Sequence, residues 1–345
     1  MKNPLVSIVI LNWNGKHHLG RCLGSLAKIS YKAIEVIVVD NHSSDGSQAI
    51  VRNKFPWVKL VENKKNLGYS AGNNVGIRAS RGTYVFILNN DTEVEKSFLE
   101  PLVAACQSDT AIGCIQPKLL YASNHHLLNA VGSYLTSTGF LYHYGYRKPQ
   151  SRPQYNRRIH IYSAKGAAML LRKSALAQVG LFDEDFFIYF EETDLCHRLW
   201  LAGYSVVYEP TSVIYHHEAV DTHKQMQEFT ITYLSFRNRI ASFLMNLHWI
   251  NATKILSVLL VIYAALILFY LATLRPQLAW AIVLAGVWNI RHIRLTLGKR
   301  DHVQTQVRKR SDRELFRSIK RNPPVVYYYY LFTTLKNFRY EKAVS

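Results

Sequence analysis

Val6-Ser-Ile-Val-Ile-Leu-Asn12 is an almost unbroken apolar run that stops on a polar residue, and Ile34-Glu-Val-Ile-Val-Val-Asp40 repeats the design. Apolar runs of this length suit strands buried on both faces of a sheet. Between them Leu19, Leu23, Leu26 and Ile29 recur at helical spacing, so the order is β, α, β. The alternation continues outward. Turn residues over Asn41 to Gly46 lead into a short helix from Ser47 to Lys54 and a third strand over Val58 to Val61. A helix over Ser70 to Ser80 precedes a fourth strand, Tyr84 to Leu88, and a helix over Lys96 to Cys106 precedes a strand at Ile112 to Ile115. This predicts an α/β, Rossmann-like fold, a mostly parallel sheet with flanking helices. Such sheets bind ligands beyond the C-terminal ends of their strands, which is where Asn12, Asp40 and Asp91 fall. Each of the three alone reads equally well as a turn or cap residue.

The second half is less regular. Tyr121 to His160 is rich in Tyr, His, Gly and Arg with weak periodicity, and reads as an irregular or short-stranded segment on the substrate side. Tyr142, Tyr144 and Tyr146 alternate, which fits a half-buried strand and also fits rings stacked on sugars. Regular signals resume at Ala167 to Leu171. An aromatic and acidic run, Phe182 to Cys196, follows, and Leu195 and Leu199 predict a helix from about Glu191 to Leu201, ending near Gly203. That register sets Glu191, Glu192 and Asp194 at a helix N-terminus, where the helix dipole favours an ionised carboxylate.

These residues supply the parts that transfer from a nucleoside diphosphate requires. Asp40 is positioned to accept a hydrogen bond from a nucleobase or ribose. Asp91, in Asn89-Asn90-Asp91, suits Mg or Mn, which takes one or two carboxylates and completes its shell with phosphate oxygens. His216 reads either as a nitrogen ligand to that ion or as a satisfied histidine at a strand end.

The motifs Val6-Ser-Ile-Val-Ile-Leu-Asn-Trp-Asn-Gly15, Val38-Val-Asp-Asn-His-Ser-Ser-Asp-Gly-Ser47, Asn66-Leu-Gly-Tyr-Ser-Ala-Gly-Asn-Asn-Val-Gly76 and Leu88-Asn-Asn-Asp-Thr92 occur together. Gly166-Ala-Ala-Met-Leu-Leu-Arg172, the Phe186 to Asp194 stretch and Val213-Ile-Tyr-His216 follow in order. With these motifs the chain resembles the inverting family 2 glycosyltransferases of the GT-A fold, especially their bacterial rhamnosyltransferase-like branch, over about Leu5 to Asn238. The resemblance implies transfer of a single sugar, with TDP-rhamnose the most familiar donor, onto a lipid-linked or glycan acceptor in cell-surface polysaccharide synthesis. It implies donor contacts at Asn12, Asp40, Asn66, Gly68, Asn73 and Asn89, a divalent cation on Asp91 near His216, and Glu192 as the base. Glu191 and Asp194 are the competing carboxylates. Two positions depart from the family pattern: Asn89 stands for the first acid of its DxD motif, and Glu191-Glu192 for its Glu-Asp pair. The Gln-x-x-Arg-Trp motif of processive synthases is replaced by Cys196-His-Arg-Leu-Trp200, which favours single addition.

The expected organisation is a transferase domain over 1–250, with a nucleotide-binding half at 1–115 and an acceptor and catalytic half at 116–250. A membrane-associated helical hairpin follows at 251–297, and a basic cytoplasmic tail at 298–345. The hairpin rests on Ile255 to Leu274, which carries no charge and as a helix is roughly 30 Å long, enough to cross a bilayer. Leu278 to Ile290 is the shorter second arm, with Arg291 and Arg294 reaching for headgroups. The net charge is +19, and eleven Lys or Arg fall between Arg291 and Arg321. Their position beside an apolar block favours anionic lipid over nucleic acid, for which no recognised motif is present. Cys22, Cys106, Cys114 and Cys196 lack metal or disulfide spacing, and the first residues lack a signal-peptide core, so the transferase domain is expected at the cytoplasmic face of the cell membrane. The rival readings are a nucleotide-sugar-binding scaffold of a polysaccharide assembly complex without transfer activity, and a nucleic-acid-binding membrane protein using the basic tail.

Overall fold

The computed structural model describes residues 3–218, 226–333, 335–339 and 341–344. Strands β1 (Val6–Asn12), β2 (Ile34–Asp40), β3 (Lys59–Glu62) and β4 (Tyr84–Asn89) are parallel, joined by helices α1 (Lys16–Leu26), α2 (Ser47–Lys54) and α3 (Gly68–Ala79). The short β5 (Thr92–Val94) and helix α4 (Leu99–Ser108) lead to β6 (Ile112–Tyr121). Hairpin strands β7 (Asn124–Ala130), β8 (Gly132–Leu135) and β9 (Leu141–Tyr144) follow, then β10 (Ile159–His160) and β11 (Ala168–Arg172). Helices α5 (Lys173–Val179) and α6 (Glu191–Leu201) precede β12 (Ser205–His216). The sheet order is β10-β12-β6-β11-β4-β1-β2-β3, with β11 antiparallel to β4 and β6. The expected α/β sheet is present.

Alternation along each strand feeds two cores. Ile8 and Ile10 pack with Leu19, Leu23 and Phe98 on one face, and Val9 packs with the α3, α5 and α6 layer on the other. Helix α3 lies unusually close to the sheet. A Cβ on Gly76 would sit 2.2 Å from Val9 Cγ1, and one on Gly72 would sit 2.5 Å from Leu11 Cδ1, so the glycines of that motif set helix height. Register then brings the polar strand ends together: Asn12 pairs with Asp40 across β1–β2, and Leu11 with Asn89 across β1–β4.

The Tyr121 to His160 segment is more regular than its sequence pattern suggests. Tyr142 and Tyr144 are buried in an edge-to-face aromatic cluster with Tyr134, Tyr155 and Tyr327. Rings on both sides of the hairpin are enclosed, so the polar and apolar alternation that marks a half-exposed strand is missing. Tyr142 and Tyr144 thus serve as core rings, and Tyr146 keeps the most exposed surface of the three.

Beyond β12 run α7 (Glu228–Asn246), α8 (Trp249–Ala272), α9 (Pro276–Arg291), α10 (Ile293–His302), α11 (Asp312–Ile319) and α12 (Val326–Phe332). The stretch expected to be a basic tail is folded and packs against the β8–β9 hairpin. Val307, Ile319 and Tyr327 are fully buried, Tyr327 Oη donates to Leu141 O at 2.9 Å, and Asn322 accepts from Ser137 N at 2.7 Å. Several of its charges serve this packing, Arg308 pairing with Asp312 at 2.7 Å and Arg300 stacking 3.7 Å from the Trp249 ring centre. The second arm of the expected hairpin packs on α7: Asn289 Nδ2 donates to Arg237 O at 3.0 Å, and the Arg237 guanidinium lies over Trp288. Apolar pattern alone does not tell a helix facing lipid from one facing protein.

Candidate active site

Asn12 is fully buried and cross-links the strand ends. Its Nδ2 reaches Asp40 Oδ1 at 3.1 Å and Ser47 Oγ at 2.8 Å, while its Oδ1 accepts from Asn90 Nδ2 at 2.8 Å. Asp40 also accepts from Ser43 N and Gln48 Nε2, both at 2.9 Å, and is 2% exposed. Its carboxylate shapes the 41–47 loop from beneath the cleft, whose lining includes Asn41 and not Asp40. Asn41, which the sequence reading passed over, reaches the cleft instead. Its Nδ2 donates to Asn66 Oδ1 at 2.8 Å, and its Oδ1 accepts from Leu67 N at 2.9 Å. Asn41, Asn66, Gly68, Asn89 and Asp91 line one cleft of about 160 Å³ together with Trp13 and Phe187. Asn73 is not in it, being fully buried with its amide on Tyr69 O at 2.9 Å.

Helix α3 offers no open N-terminus. Tyr69 N and Ser70 N donate to Phe187 O at 2.6 and 3.1 Å, and a Cβ on Gly68, which has φ of 75°, would strike the Phe187 ring. The segment that carries Phe187 thus closes one wall of the cleft. It holds a conformation that ordinary residues resist, with φ of 62° at Phe187 and 71° at both Tyr189 and Phe190. Asn238 of α7 clamps it, donating to Phe186 O, Ile188 O and Tyr189 O at 2.9, 3.0 and 2.7 Å. Arg237 adds a bond to Asp185 O at 2.6 Å.

At the other end of the cleft the antiparallel β5–β12 pairing sets His216 opposite Thr92, and His217 N donates to Asp91 O at 2.9 Å. Asp91 Oδ1 and His216 Nε2 then face each other at 3.3 Å. Both atoms are buried and neither has a hydrogen bond. Burial alone would raise the Asp91 pKa, but His216 and then His18 beside it hold the carboxyl below its ordinary value. His216 Nδ1 meets Asn129 Oδ1 at 3.0 Å, and Lys165 Nζ donates to the same oxygen at 2.8 Å. Because an ammonium only donates, this Asn129 atom is the oxygen, so His216 donates from Nδ1; in the neutral ring, the form that binds a cation, the Nε2 lone pair then faces Asp91. A carboxylate oxygen and an imidazole nitrogen, orphaned and facing each other, fit a divalent cation whose remaining ligands come from phosphate and water. No group of three His, Cys, Asp or Glu is assembled for a metal among the described residues, which suits a shared site better than a protein cage.

Glu192 faces a second cavity, of about 220 Å³, lined also by Asn129, Ser133, His143, Tyr146 and Lys165. Glu191 Oε2 and Glu192 Oε2 are buried without partners. Burial raises the pKa of Glu192, an effect that the Lys165 charge opposes, and burial with the neighbouring Glu192 charge raises Glu191 further. The helix N-terminus was expected to keep this pair ionised; desolvation outweighs it. Lys165, which lines the second cavity, is itself pulled down by burial, against the charges of Glu218, Asp91 and Glu192 around it. Asp194 is committed elsewhere. It is 1% exposed and accepts from Arg198 Nε, Ser242 Oγ and Asn246 Nδ2 at 2.9, 2.9 and 2.6 Å, tying α6 to α7. The larger cavity beside it, about 610 Å³ between α5, α6, α7 and α10, lies away from this chemistry.

Trp13, Asn41, Asn129, Lys165 and Phe187 are the site residues that pattern reading missed. Asn41 and Trp13 sit inside quoted motifs and were within reach of it. Asn129 and Lys165 come from irregular chain, and nothing in their spacing marks them.

The glycosyl transferase family 2 model matches residues 7–180. Among curated relatives, the N-acetylglucosaminyl-diphospho-decaprenol L-rhamnosyltransferase of Mycobacterium tuberculosis is 27% identical over 246 residues, covering 63% of this chain and 78% of its own. The low-salt glycan biosynthesis hexosyltransferase Agl10 of Haloferax volcanii is 27% identical over 241 residues, covering 68% and 74%. Of solved structures, GalNAc-T7 with UDP, GalNAc and Mn2+ superposes with a TM-score of 0.58 at 17% identity, covering 70% of this chain and 48% of that one. The mannosyltransferase PcManGT from Pyrobaculum calidifontis, in complex with GDP-Man and Mn2+, gives 0.52 at 17% identity, covering 89% and 85%. At that identity the likeness shows the shared GT-A fold.

Proposed function

The chain belongs to glycosyl transferase family 2 and is a glycosyltransferase, and on that premise we propose that it moves one sugar, with inversion, from a nucleoside-diphosphate sugar to a lipid-linked acceptor. The observation that carries the reading is a pair of cavities, one lined by Asp91, whose unpartnered Oδ1 faces the unpartnered Nε2 of His216, the other lined by Lys165 and by Glu192 with its unpartnered Oε2, with Lys165 interacting with both carboxylates. The first takes the donor. Asn41 and Asn66 meet its nucleoside, and Asp91 with His216 hold a Mg or Mn ion on its diphosphate. When bound, that ion supplies Lewis-acid stabilisation of the departing charge. The second cavity takes the acceptor, and Glu192 removes the proton from the attacking hydroxyl. A base whose pKa lies above the ordinary carboxylate range is better matched to a hydroxyl near neutral pH than a fully solvated one. Attack from the Glu192 side, opposite the diphosphate, inverts the anomeric carbon.

Residues 1–115 serve as the nucleotide-binding half and 116–250 as the acceptor half, with the C-terminal helices bringing the site to the cytoplasmic face of the cell membrane. The name of the mycobacterial relative, an L-rhamnosyltransferase acting on N-acetylglucosaminyl-diphospho-decaprenol, supports a diphospholipid acceptor and a rhamnosyl donor, which we propose is TDP-rhamnose used in cell-surface polysaccharide synthesis. Purified protein offered a panel of nucleotide sugars, with a polyprenyl-diphosphate sugar as acceptor, is expected to release nucleoside diphosphate from one donor above all. Chelation or Asp91→Ala is expected to abolish release without lowering thermal stability. Donor binding with no release from any pairing would replace transfer by a scaffold role, and full turnover after exhaustive chelation would remove the ion from the scheme.

A further inference from the structure

Helix α8 is the one helix among the described residues long and apolar enough to cross a membrane, and yet both its ends are held by the transferase domain. At its start His248 N and Asn251 Nδ2 donate to Asp312 Oδ2, each at 2.8 Å, and Trp249 stacks under Arg300. At its end Arg275 grips Glu228, the first residue of α7, with 2.6 Å to each carboxylate oxygen. Between these ties Ala252, Ile255, Leu259, Tyr263 and Leu266 form a buried stripe. The stripe packs on Gly139 and Phe140 of the β8–β9 turn and on Phe236 of α7. Helix α7 is no membrane element, since Arg237 and Asn238 in its middle hold the catalytic segment. A helix whose start, end and one stripe are all bonded to or packed on the same polar domain cannot cross a bilayer without carrying that domain into it.

The opposite stripe of α8 is bare. Ile250, Val261 and Leu268 are 61%, 71% and 68% exposed, and Leu274 in the turn that follows is 88% exposed. Trp280 and Ile290 of α9 and Ile293 and Leu297 of α10 are exposed too. Apolar surface continuous over neighbouring helices marks an interaction site. The chemistry around it selects the partner: exposed Arg291, Arg294 and Lys254 border the apolar helices, exposed Trp249 and Trp280 suit an interfacial aromatic belt, and the chain carries +19 overall.

We propose that α8, with the exposed faces of α9 and α10, lies in the plane of an anionic bilayer and enters one leaflet without crossing it. The transferase domain then rests on the cytoplasmic surface as a monotopic protein. This concerns how the chain meets lipid, and it stands apart from the identity of donor and acceptor.

Two measurements on the full chain test it. The purified protein is expected to float with vesicles containing phosphatidylglycerol, more weakly with phosphatidylcholine alone. Joint substitution Val261→Glu and Leu268→Glu, at exposed sites away from the core, is expected to lower flotation about tenfold or more with melting unchanged. For topology, Thr253→Cys and Gln277→Cys place single reactive thiols at exposed positions near the two ends of α8, against four native cysteines that are all buried. An impermeant maleimide is expected to label both in inside-out membrane vesicles and neither in right-side-out ones. Labelling of the two positions from opposite sides would establish a span and overturn the proposal. Failure to float, with a dimer in solution that the double substitution splits, would assign the face to a second copy and overturn it equally.

Discussion

Replacing Asn238 by Ala removes the clamp on the catalytic segment. Two N–H groups of one fully buried amide serve three carbonyls at 2.7 to 3.0 Å, and no other side chain does this for Ile188 or Tyr189 among the described residues. A buried bond of this kind contributes about 1 kcal/mol net, and a carbonyl left unpaired costs more, so the loss is about 2–3 kcal/mol. For a chain of 345 residues that lowers Tm by about 3–4 °C. The functional loss is larger than the thermal one. Phe187, Tyr189 and Phe190 hold left-handed backbone at a cost of about 1–3 kcal/mol each, and without the clamp the segment relaxes toward ordinary conformations. Phe187 O then leaves Tyr69 N and Ser70 N, and the wall of the donor cleft goes with it. Scanning fluorimetry gives Tm, and calorimetric titration with the nucleoside diphosphate the donor panel selects gives affinity. A variant within 1 °C of the parent by that scale, with unchanged affinity, would refute the reasoning.

Four further outcomes follow from the carboxylates and Lys165. Glu192→Gln is expected to keep donor affinity while transfer falls on the order of 100-fold. Because burial raises the Glu192 pKa and Lys165 opposes the rise, the acid limb of the parent's pH–rate profile should lie above the ordinary carboxylate range, and Lys165→Met should move it higher; a limb that Lys165→Met leaves in place would count against that pairing. Glu191 is raised well above its ordinary value of 4.5, so its contribution to stability is present below that pH and is lost as pH rises through the raised value. Melting of the parent is thus expected to fall relative to Glu191→Gln as pH rises above about 5, and a constant difference would contradict it. Asp194→Asn should cost about 3 kcal/mol or more by stranding the buried Arg198, with transfer per folded molecule little changed. Selective loss of transfer in a fully folded Asp194→Asn sample would return that residue to the chemistry.

Much of the sheet was legible because β1, β2 and β4 are buried on both faces and so read as apolar runs ending on polar residues. Helix α6 was found to the residue, since its Leu195 and Leu199 keep helical spacing and Phe190 breaks it upstream with left-handed backbone. The site was legible in outline and not in assignment. Asp40 and Asp194 look from the sequence like free carboxylates, and each is consumed by donors from elements that are distant in the chain, Asn12 in one case and Ser242 with Asn246 in the other. Asn129 became visible only through the geometry that joins it to His216 and Lys165. The aromatic hairpin β8–β9 escaped because enclosure on all sides removes the period that betrays a strand.

The carbonyl of Phe187 joins three things that otherwise have no reason to move together: the first turn of α3, the wall of the donor cleft, and the run of chain that ends at Glu192. If that joint lets go, the cleft loses its wall and the base loses its place in the same event. On the proposed roles, donor seat and Glu192 are then lost together, which disfavours an arrangement with donor seated and Glu192 astray, the one in which water attacks the activated sugar. An enzyme assembled this way is either whole or idle, and idleness wastes no donor.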